Sequence, residues 1–148
     1  MVTAQLPGKE TIDYQVDTVQ IKNNILAFTR LVFNKGQSGI ESIVKFCAFP
    51  FYNKDWQAKR VYNSASELAV ELHEMFKLEN YKPVEYKTET LSTSNSCENE
   101  FLKGKQFICF KMNTYILNIG KDNYSSLLKT TFYIEKKSPF LILGVEAE

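Results

Sequence analysis

The residue types most able to do chemistry are few and widely separated in this sequence. His73 is the only histidine, and the three cysteines, Cys47, Cys97 and Cys109, form no CxxC pair. Structural zinc sites use about four ligands at short, regular spacings, and these residues do not have such spacings. We therefore predict no metal site and no cofactor. We interpret Cys47 and Cys109 as buried thiols and Cys97 as an exposed loop thiol, because an odd number of scattered cysteines does not suggest a disulfide framework.

His73 is the one candidate for proton-transfer catalysis. It follows Leu72 directly and lies five residues after Leu68 on a predicted helix, which places it at the flank of the apolar stripe that these leucines define. This position favours a surface or boundary residue. The alternative is a pocket base with Asp55 or Asp17 nearby. We predict no catalytic residue, and His73 is the candidate to test if the chain is an enzyme.

Charge and hydropathy argue against several classes of function. Eighteen basic and 17 acidic residues give a formal net charge of +1 over 148 residues, whereas nucleic-acid or membrane-surface binding needs a basic surplus. No apolar segment approaches the roughly 20 residues of a membrane-spanning helix. The first residues lack the charged and apolar regions of a signal peptide. We expect a cytoplasmic protein, and a trimmed secreted or periplasmic chain is the alternative.

Helical patterns fill the first half of the chain. Residues 1–16 are polar and are predicted to form an N-terminal arm before a single domain at 17–148. A first helix is predicted from about Asp17 to Gly36, and the segments Ser38–Glu41 and Ser64–Glu67 have the form of capping boxes that open a second and a third helix. The first helix has four apolar residues on one face: Ile21, Ile25, Phe28 and Val32.

Alternating patterns fill the second half of the chain. Strands are predicted at residues 84–91, 106–118, 124–135 and 140–145, with a polar loop at 92–105 and a short hairpin earlier in the chain around Asn53–Asp55. In the first of these strands, Val84, Tyr86, Thr88 and Thr90 share one face. Helices followed by long strands predict an α+β domain, with three N-terminal helices packed on a mainly antiparallel sheet of about six strands.

The order of these elements resembles the nuclear-transport-factor-2-like superfamily, whose members share a cone-shaped, cystatin-like α+β fold. The resemblance covers residues 18 to 146 and rests on the segment Phe46–Tyr52, on Trp56 and on the helix start at Ser64–Glu67. It implies a strongly curved sheet that forms a cone with a pocket. The superfamily includes isomerases, cyclases, dehydratases, ligand binders and interaction modules, so the fold does not determine an activity.

The resemblance also implies which residues line the cone. The inward set on the three long strands is apolar or hydroxylic and contains no carboxylate or histidine, unlike the enzymatic members, which commonly place an Asp, Glu or His there. The alternative is that these residues fill the core. The predicted ligand-binding residues, with the first two at the mouth, are Tyr52, Trp56, Tyr86, Thr88, Met112, Thr114, Thr130 and Phe132.

The opposite parity of the strands predicts an apolar outer face. Such a face usually marks an association surface, and the resemblance implies a homodimer joined through the sheet with an isologous interface. The alternative is scattered surface aromatics. The predicted interface residues are Phe107, Cys109, Tyr115, Leu117, Leu127 and Tyr133.

Three functions remain open at this point. The first is a non-enzymatic homodimeric module that holds a small apolar or aromatic ligand in the cone. The second is an isomerase, cyclase or dehydratase that uses a pocket acid or base. The third is a protein-interaction module that uses the outer sheet or the loop at 92–105, with a filled cone. A carboxylate or imidazole inside the cone would distinguish the second hypothesis from the others.

Overall fold

The structure is a computed structural model that describes residues 6–55, 58–78, 85–94, 97–117 and 125–148. Within these ranges, three α-helices, two short 3-10 turns and six strands follow one another. The helices are α1 Leu6–Asn34, α2 Ile40–Lys45 and α3 Ala65–Lys77, and the 3-10 turns are Gln37–Gly39 and Glu100–Leu102. The strands are β1 Cys47–Lys54, β2 Lys59–Tyr62, β3 Glu85–Ser94, β4 Phe107–Leu117, β5 Ser125–Glu135 and β6 Ile142–Ala147.

The strands form one curved sheet in the order β2-β1-β6-β5-β4-β3. All neighbouring pairs are antiparallel except β1 and β6, which run parallel. The predicted α+β class is confirmed, with three helices and a mainly antiparallel sheet. Among the helices of the described residues, none has the length and hydropathy needed to cross a membrane.

Helix α1 begins at Leu6, earlier than the predicted start near Asp17. The segment that was predicted to be an arm therefore contributes the first turns of the helix. Pro7 is compatible with this start, because a proline in the first helical turn lacks only an amide that has no intrahelical acceptor there. The side chains before Thr18 lie outside the described part of the structure.

Only one of the two predicted capping boxes is present. Ser64 caps α3, since its hydroxyl accepts a hydrogen bond from the amide of Glu67 at 3.2 Å and the Glu67 carboxylate accepts one from the amide of Asn63. The predicted box at Ser38 is wrong. Ser38 lies inside the 3-10 turn, and α2 begins after Gly39 without a side-chain cap.

The core lies between the helices and the concave face of the sheet. Phe28 of α1 packs edge-to-face against Phe132 of β5, with ring centroids 6.3 Å apart, and against Phe46 at 6.4 Å. Aromatic pairs in this geometry contribute beyond the area that they bury. Buried residues from every helix and from β1, β4, β5 and β6 join this cluster, including Ile21, Ile43, Phe51, Leu72, Phe110 and Ile142.

The register of β3 changes part-way along the strand. Thr88 pairs with Thr114, but after an irregularity Thr90 pairs with Asn113 and Leu91 with Met112. A bulge inserts one residue into one strand and so reverses which residues face the core. Of the predicted shared face, Tyr86 and Thr88 come before this irregularity, and after it Leu91 contributes to the core. Val84 and the side chain of Thr90 lie outside the described part of the structure.

Gly144 lies in the parallel pair of β1 and β6, where the neighbouring backbone leaves little space for a side chain. It lies opposite Tyr52 of β1 and Tyr133 of β5. A methyl group on Gly144 would lie 3.0 Å from the carbonyl oxygen of Tyr52 and 3.2 Å from its Cβ, and a backbone atom cannot move away as a flexible side chain can. Space therefore favours glycine at this position.

We expect Gly144→Ala to lower the free energy of unfolding by about 2 kcal/mol, because β1 and β6 must separate to admit the methyl group. Urea denaturation measures this change. Gly39→Ala is the matched control, since Gly39 has φ −87° and its added methyl would meet only the end of the Leu31 side chain, at 3.3 Å. Equal effects of the two substitutions would contradict this account of Gly144.

Candidate functional site

The concave face carries most of the residues predicted to line the cone. The register pairs Met112 with Thr130 and Thr114 with Thr88 across neighbouring strands. Met112, Thr114, Thr130 and Phe132 are all buried. The predicted inward parity of β4 and β5 therefore faces the helices, and whether these residues bind a ligand remains a prediction.

The two ends of the concave face differ. At Phe132 the space is taken by the ring of Phe28, so the side chains there pack as an ordinary core. Towards the other end, Tyr86 and Thr88 are only half-buried. The Tyr86 ring meets Phe33 of α1 edge-to-face, with centroids 4.8 Å apart. A ligand site on this face would therefore lie towards the half-buried end.

The buried polar side chains among the described residues are three threonines, Thr29, Thr114 and Thr130. None of them is a carboxylate or an imidazole. The hydroxyls of Thr29 and Thr114 have no hydrogen-bond partner within the described part of the chain. Burying an unpaired hydroxyl is costly, so these two groups are the natural partners for a polar atom of a ligand.

His73 is exposed on α3, away from the core. Its Nδ1 is hydrogen-bonded to the side-chain oxygen of Gln37, and the Gln37 amide donates to the His73 carbonyl at 3.3 Å. The histidine thus connects α3 to the 3-10 turn before α2. Trp56, the other predicted residue of the mouth, lies outside the described residues.

Tyr52 does not lie at the mouth of the cone, contrary to the prediction. Its neighbour Phe51 belongs to the core, and side chains alternate along a strand, so Tyr52 faces the other side of the sheet. There its ring stacks on Phe101, with centroids 5.1 Å apart and planes 13° from parallel. The sequence placed Tyr52 inside only through the family resemblance, and the β1 register corrects this.

Residues 97–105, which we call the cover segment, lie on the outer face between β3 and β4. Cys97 at its start forms a disulfide with Cys109 of β4. The prediction of separate thiols at these two positions is therefore wrong, whereas Cys47 is a buried free thiol. Desolvation raises the pKa of that thiol, which makes it unreactive. Cys97 and Cys109 are 12 residues apart in the sequence. This spacing does not indicate that the loop folds back over β4.

The cover segment buries an apolar cluster of its own. Leu102 is fully buried against the outer face, where it joins Cys109, Tyr133 and Leu143. Phe107 packs edge-to-face on Tyr133, with centroids 5.3 Å apart. This second core is separate from the one between the helices and the sheet.

Hydrogen bonds converge on Glu146 of β6 beside the cover segment. The Tyr133 hydroxyl donates to one carboxylate oxygen at 2.9 Å, and the side-chain amide of Asn99 donates to the other at 2.8 Å. The Asn99 oxygen accepts from the backbone amides of Phe101 and Leu102 and so caps the 3-10 turn. One carboxylate thereby links the cover segment to the sheet.

The two tyrosines beside Glu146 have raised pKa values. Burial and the hydrogen bond to Glu146 raise the pKa of Tyr133 to about 12. Burial first, and then the charge of Glu146, also raise the pKa of Tyr52. Tyr133 thus acts as a hydrogen-bond donor and Tyr52 as a stacking group. We interpret the cluster as structural.

The outer face is thus divided into a covered and an open part. Cys109 and Tyr133, two of the predicted interface residues, are buried beneath the cover segment and cannot contact a partner while it is closed. Phe107 is half-buried beside them. On the open part Tyr115 is half-buried, and Leu117 and Leu127 are 42% and 43% exposed. The interface itself remains a prediction.

A shallow open groove between β2 and α3 was not predicted. Its lining includes Val61, Tyr62 and Val70, and the two valines are exposed. Its carboxylates have partners already, since Glu71 is paired with Arg60 and Glu67 accepts the Asn63 amide. The carboxylates of this groove therefore give no indication of a ligand. Within the described ranges, no cluster of three or more potential metal ligands is present.

Comparison with known proteins identifies the fold. No protein-family model matches the sequence, and no curated protein matches it. Solved structures do match over most of the chain. The association domain of CaMKII from C. elegans has a TM-score of 0.64 at 11% identity, covering 92% of this chain and 98% of that one. An NTF2-like protein of unknown function from Pseudomonas putida has a TM-score of 0.63 at 8% identity, covering 90% and 87%.

A third similar structure is SalBIII, an epoxide hydrolase/cyclase-like enzyme in pyran ring formation of the polyether salinomycin. It has a TM-score of 0.51 at 13% identity and covers 88% of this chain and 91% of its own. These likenesses show that the chain has the nuclear-transport-factor-2-like, cystatin-like fold, and the resemblance predicted from the sequence is confirmed at this level. Proteins of this fold differ in activity.

We expect Tyr133→Phe to change how stability depends on pH in the alkaline range. Because the folded-state pKa is about 12 and the unfolded value is about 10, the neutral phenol stabilises the fold below pH 10, and this contribution is lost as the pH rises to 12. The variant should lose that part of the alkaline decline in denaturation midpoint.

Phenolate absorbance in the folded protein provides the second readout. Tyr133→Phe should remove a high-pH ionisation step, whereas Tyr115→Phe on the open part of the outer face should leave that step in place. An unchanged titration curve in Tyr133→Phe would contradict the assignment of the raised pKa to this residue.

Proposed function

We propose that the protein is a non-enzymatic module that holds one small apolar or aromatic ligand against the concave face and acts as a homodimer. The observation that carries the first part is the pair of buried, unpartnered hydroxyls at Thr29 and Thr114 in surroundings of aromatic and aliphatic side chains. Small-molecule sites are typically apolar with a few polar groups that fix orientation.

The polarity of this face favours a neutral ligand. A buried charge needs an opposite charge or several hydrogen bonds, and the buried polar residues found among the described residues of this face are threonines. A hydroxyl can donate to a carbonyl or accept from a hydroxyl or amine. We therefore infer a ligand with an apolar body and one or two uncharged polar atoms.

Thr114→Val tests this proposal. The substitution keeps the shape of the side chain and removes the unpaired hydroxyl, so the ligand-free protein should gain about 1 kcal/mol in free energy of unfolding. The variant should still bind the neutral fluorescent probe N-phenylnaphthylamine. Carbonyl-bearing compounds, however, should displace the probe from the variant less well than from the wild type. Native mass spectrometry of freshly purified wild type and variant shows whether any co-purified ligand is lost.

Thr114→Ser is the matched control, because it keeps the hydroxyl and should keep the competition by carbonyl compounds. A wild type that binds no probe and carries no adduct would count against the ligand. Probe binding that is equal in all three proteins would place the site away from Thr114.

An enzyme is the second candidate. It is favoured by the likeness to SalBIII, which is described as an epoxide hydrolase/cyclase-like enzyme. Proton transfer would require an acid or base at the ligand. His73 is exposed and is hydrogen-bonded to Gln37. The buried polar residues among the described ones are threonines, whose hydroxyls are not acids or bases near neutral pH. These observations favour binding over catalysis.

The homodimer is supported by the open part of the outer face. Tyr115 lies opposite Leu127 in the β4–β5 ladder, and Leu117 continues the exposed apolar surface along β4. The similar CaMKII domain is described as an association domain, which is consistent with assembly by this fold. We place the interface at Tyr115, Leu117 and Leu127, and the covered residues Cys109 and Tyr133 do not contribute to it.

Tyr115→Lys combined with Leu127→Glu should convert the protein to a monomer, because the substitutions place charges at the centre of the proposed apolar contact. Multi-angle light scattering measures the mass. The control replaces exposed residues elsewhere, Val61→Glu with Val70→Lys, and should leave the dimer intact. A dimer mass that survives the first pair of substitutions would rule out this interface.

We infer the compartment from the disulfide. Cytosolic thiol systems keep cysteines reduced, whereas secreted and periplasmic proteins retain disulfides. The Cys97–Cys109 bond therefore favours the secreted or periplasmic alternative over the cytoplasmic expectation. In a cytoplasmic setting the same bond would form and break with the redox state.

A further inference from the structure

The cover segment is fixed at its start by a covalent bond and beyond it by few other contacts. The disulfide joins Cys97 to Cys109. Past this point the segment is held by the stack of Phe101 on Tyr52 and by the burial of Leu102. Asn99 adds polar links to the sheet, through the hydrogen bond from its side-chain amide to Glu146 and through its contact with the Tyr133 hydroxyl.

We propose that the cover segment is a redox-operated cover over the outer face of the sheet. With the Cys97–Cys109 disulfide intact, the cover is closed and buries Tyr133 and Leu143. Reduction by a dithiol of the thioredoxin-like class releases the cover while the sheet and the helical core stay folded. This inference does not depend on the ligand or the dimer proposed above.

The balance of contacts is the reason to expect release. A disulfide restricts the open ensemble of the loop that it closes, and removing it leaves only non-covalent contacts within the described residues: the stack of Phe101, the burial of Leu102 and the polar contacts of Asn99. Regions with few buried apolar contacts open locally at low free energy. The other end of the segment is a turn, in which Gly104 has φ +86° and the Lys105 amide donates to the Leu102 carbonyl at 2.9 Å.

The two sulfurs differ in access. Cys97 is half-buried and Cys109 is fully buried. A thiolate of the reductant therefore attacks the Cys97 sulfur, and Cys109 leaves as a thiolate that takes up a proton. The second thiol of the reductant then resolves the mixed disulfide. The products are two cysteine thiols on the protein and one disulfide on the reductant, so two electrons and two protons are transferred.

Opening exposes a defined apolar strip. Leu102 leaves its site, and the surface beneath it consists of Cys109, Tyr133 and Leu143, with Ala48 beside them. The concave core on the opposite face shares none of the buried residues of this cluster. The cover can therefore open without loss of the main fold.

Limited trypsin digestion tests the proposal on the full chain. Lys103 and Lys105 are exposed cleavage sites within the cover segment, and Lys45 on α2, whose side chain is 74% exposed, serves as an internal reference. After treatment with dithiothreitol, cleavage at Lys103 and Lys105 should accelerate by about tenfold or more relative to cleavage at Lys45, because proteolysis follows local opening.

Cys97→Ser provides the matched variant, since it removes the disulfide and leaves the buried Cys109 in place. Without reductant it should be cleaved as fast as the reduced wild type, and adding reductant should change nothing. Amide hydrogen exchange should show faster exchange confined to residues 97–106, with β4 and β5 still protected.

Three results would overturn the proposal. Equal cleavage in the oxidised and reduced protein would mean that the non-covalent contacts alone keep the cover closed. Loss of protection throughout β4 and β5 on reduction would mean that the disulfide supports the whole fold. Free thiols at Cys97 and Cys109 in a peptide map of the untreated protein would mean that the bond does not form.

Discussion

The parallel contact between β1 and β6 is the constraint on which both faces of the sheet depend. It joins the hairpin of β1 and β2 to the strands of the second half, and Gly144 eases it because no side chain crowds the backbone of Tyr52 there. This contact fixes the parity of β1, with Phe51 in the core and Tyr52 outside. Phe51 therefore packs in the core on the concave face, and the ring of Tyr52 stacks on Phe101 on the outer face.

The sequence predicts the elements whose signals are local. Alternation places Met112 and Phe132 on the inner face, and the serine–glutamate pair at the start of α3 marks a real cap. Prediction from the sequence fails where the structure depends on an interaction between residues that are far apart in the chain. The bulge in β3, the outward position of Tyr52 and the bond from Cys97 to Cys109 depend on how strands and loops meet, and no short pattern encodes these meetings.

Prediction of the candidate site from the sequence is limited in a similar way. Strand parity indicates that Thr114 faces inward, but it cannot show whether the space before it is filled. That depends on where α1 crosses the sheet, and Phe28 fills the region at Phe132 while Tyr86 and Thr88 stay half-buried. The unpartnered hydroxyl of Thr114 is visible only once every neighbour has been placed. A polar group that costs stability in the empty protein is a physical reason to infer a ligand.

The outer face presents the opposite problem, since an apolar sheet surface must be covered to stay in solution without aggregating. This chain covers one part with its own residues, through Leu102 and Phe101, and leaves Tyr115, Leu117 and Leu127 open. The covered part is already complete, because its buried tyrosine and its asparagine share the Glu146 carboxylate. We therefore assign the proposed contact with a second copy to the open part, and the segment that closes the other part is held by a reducible bond.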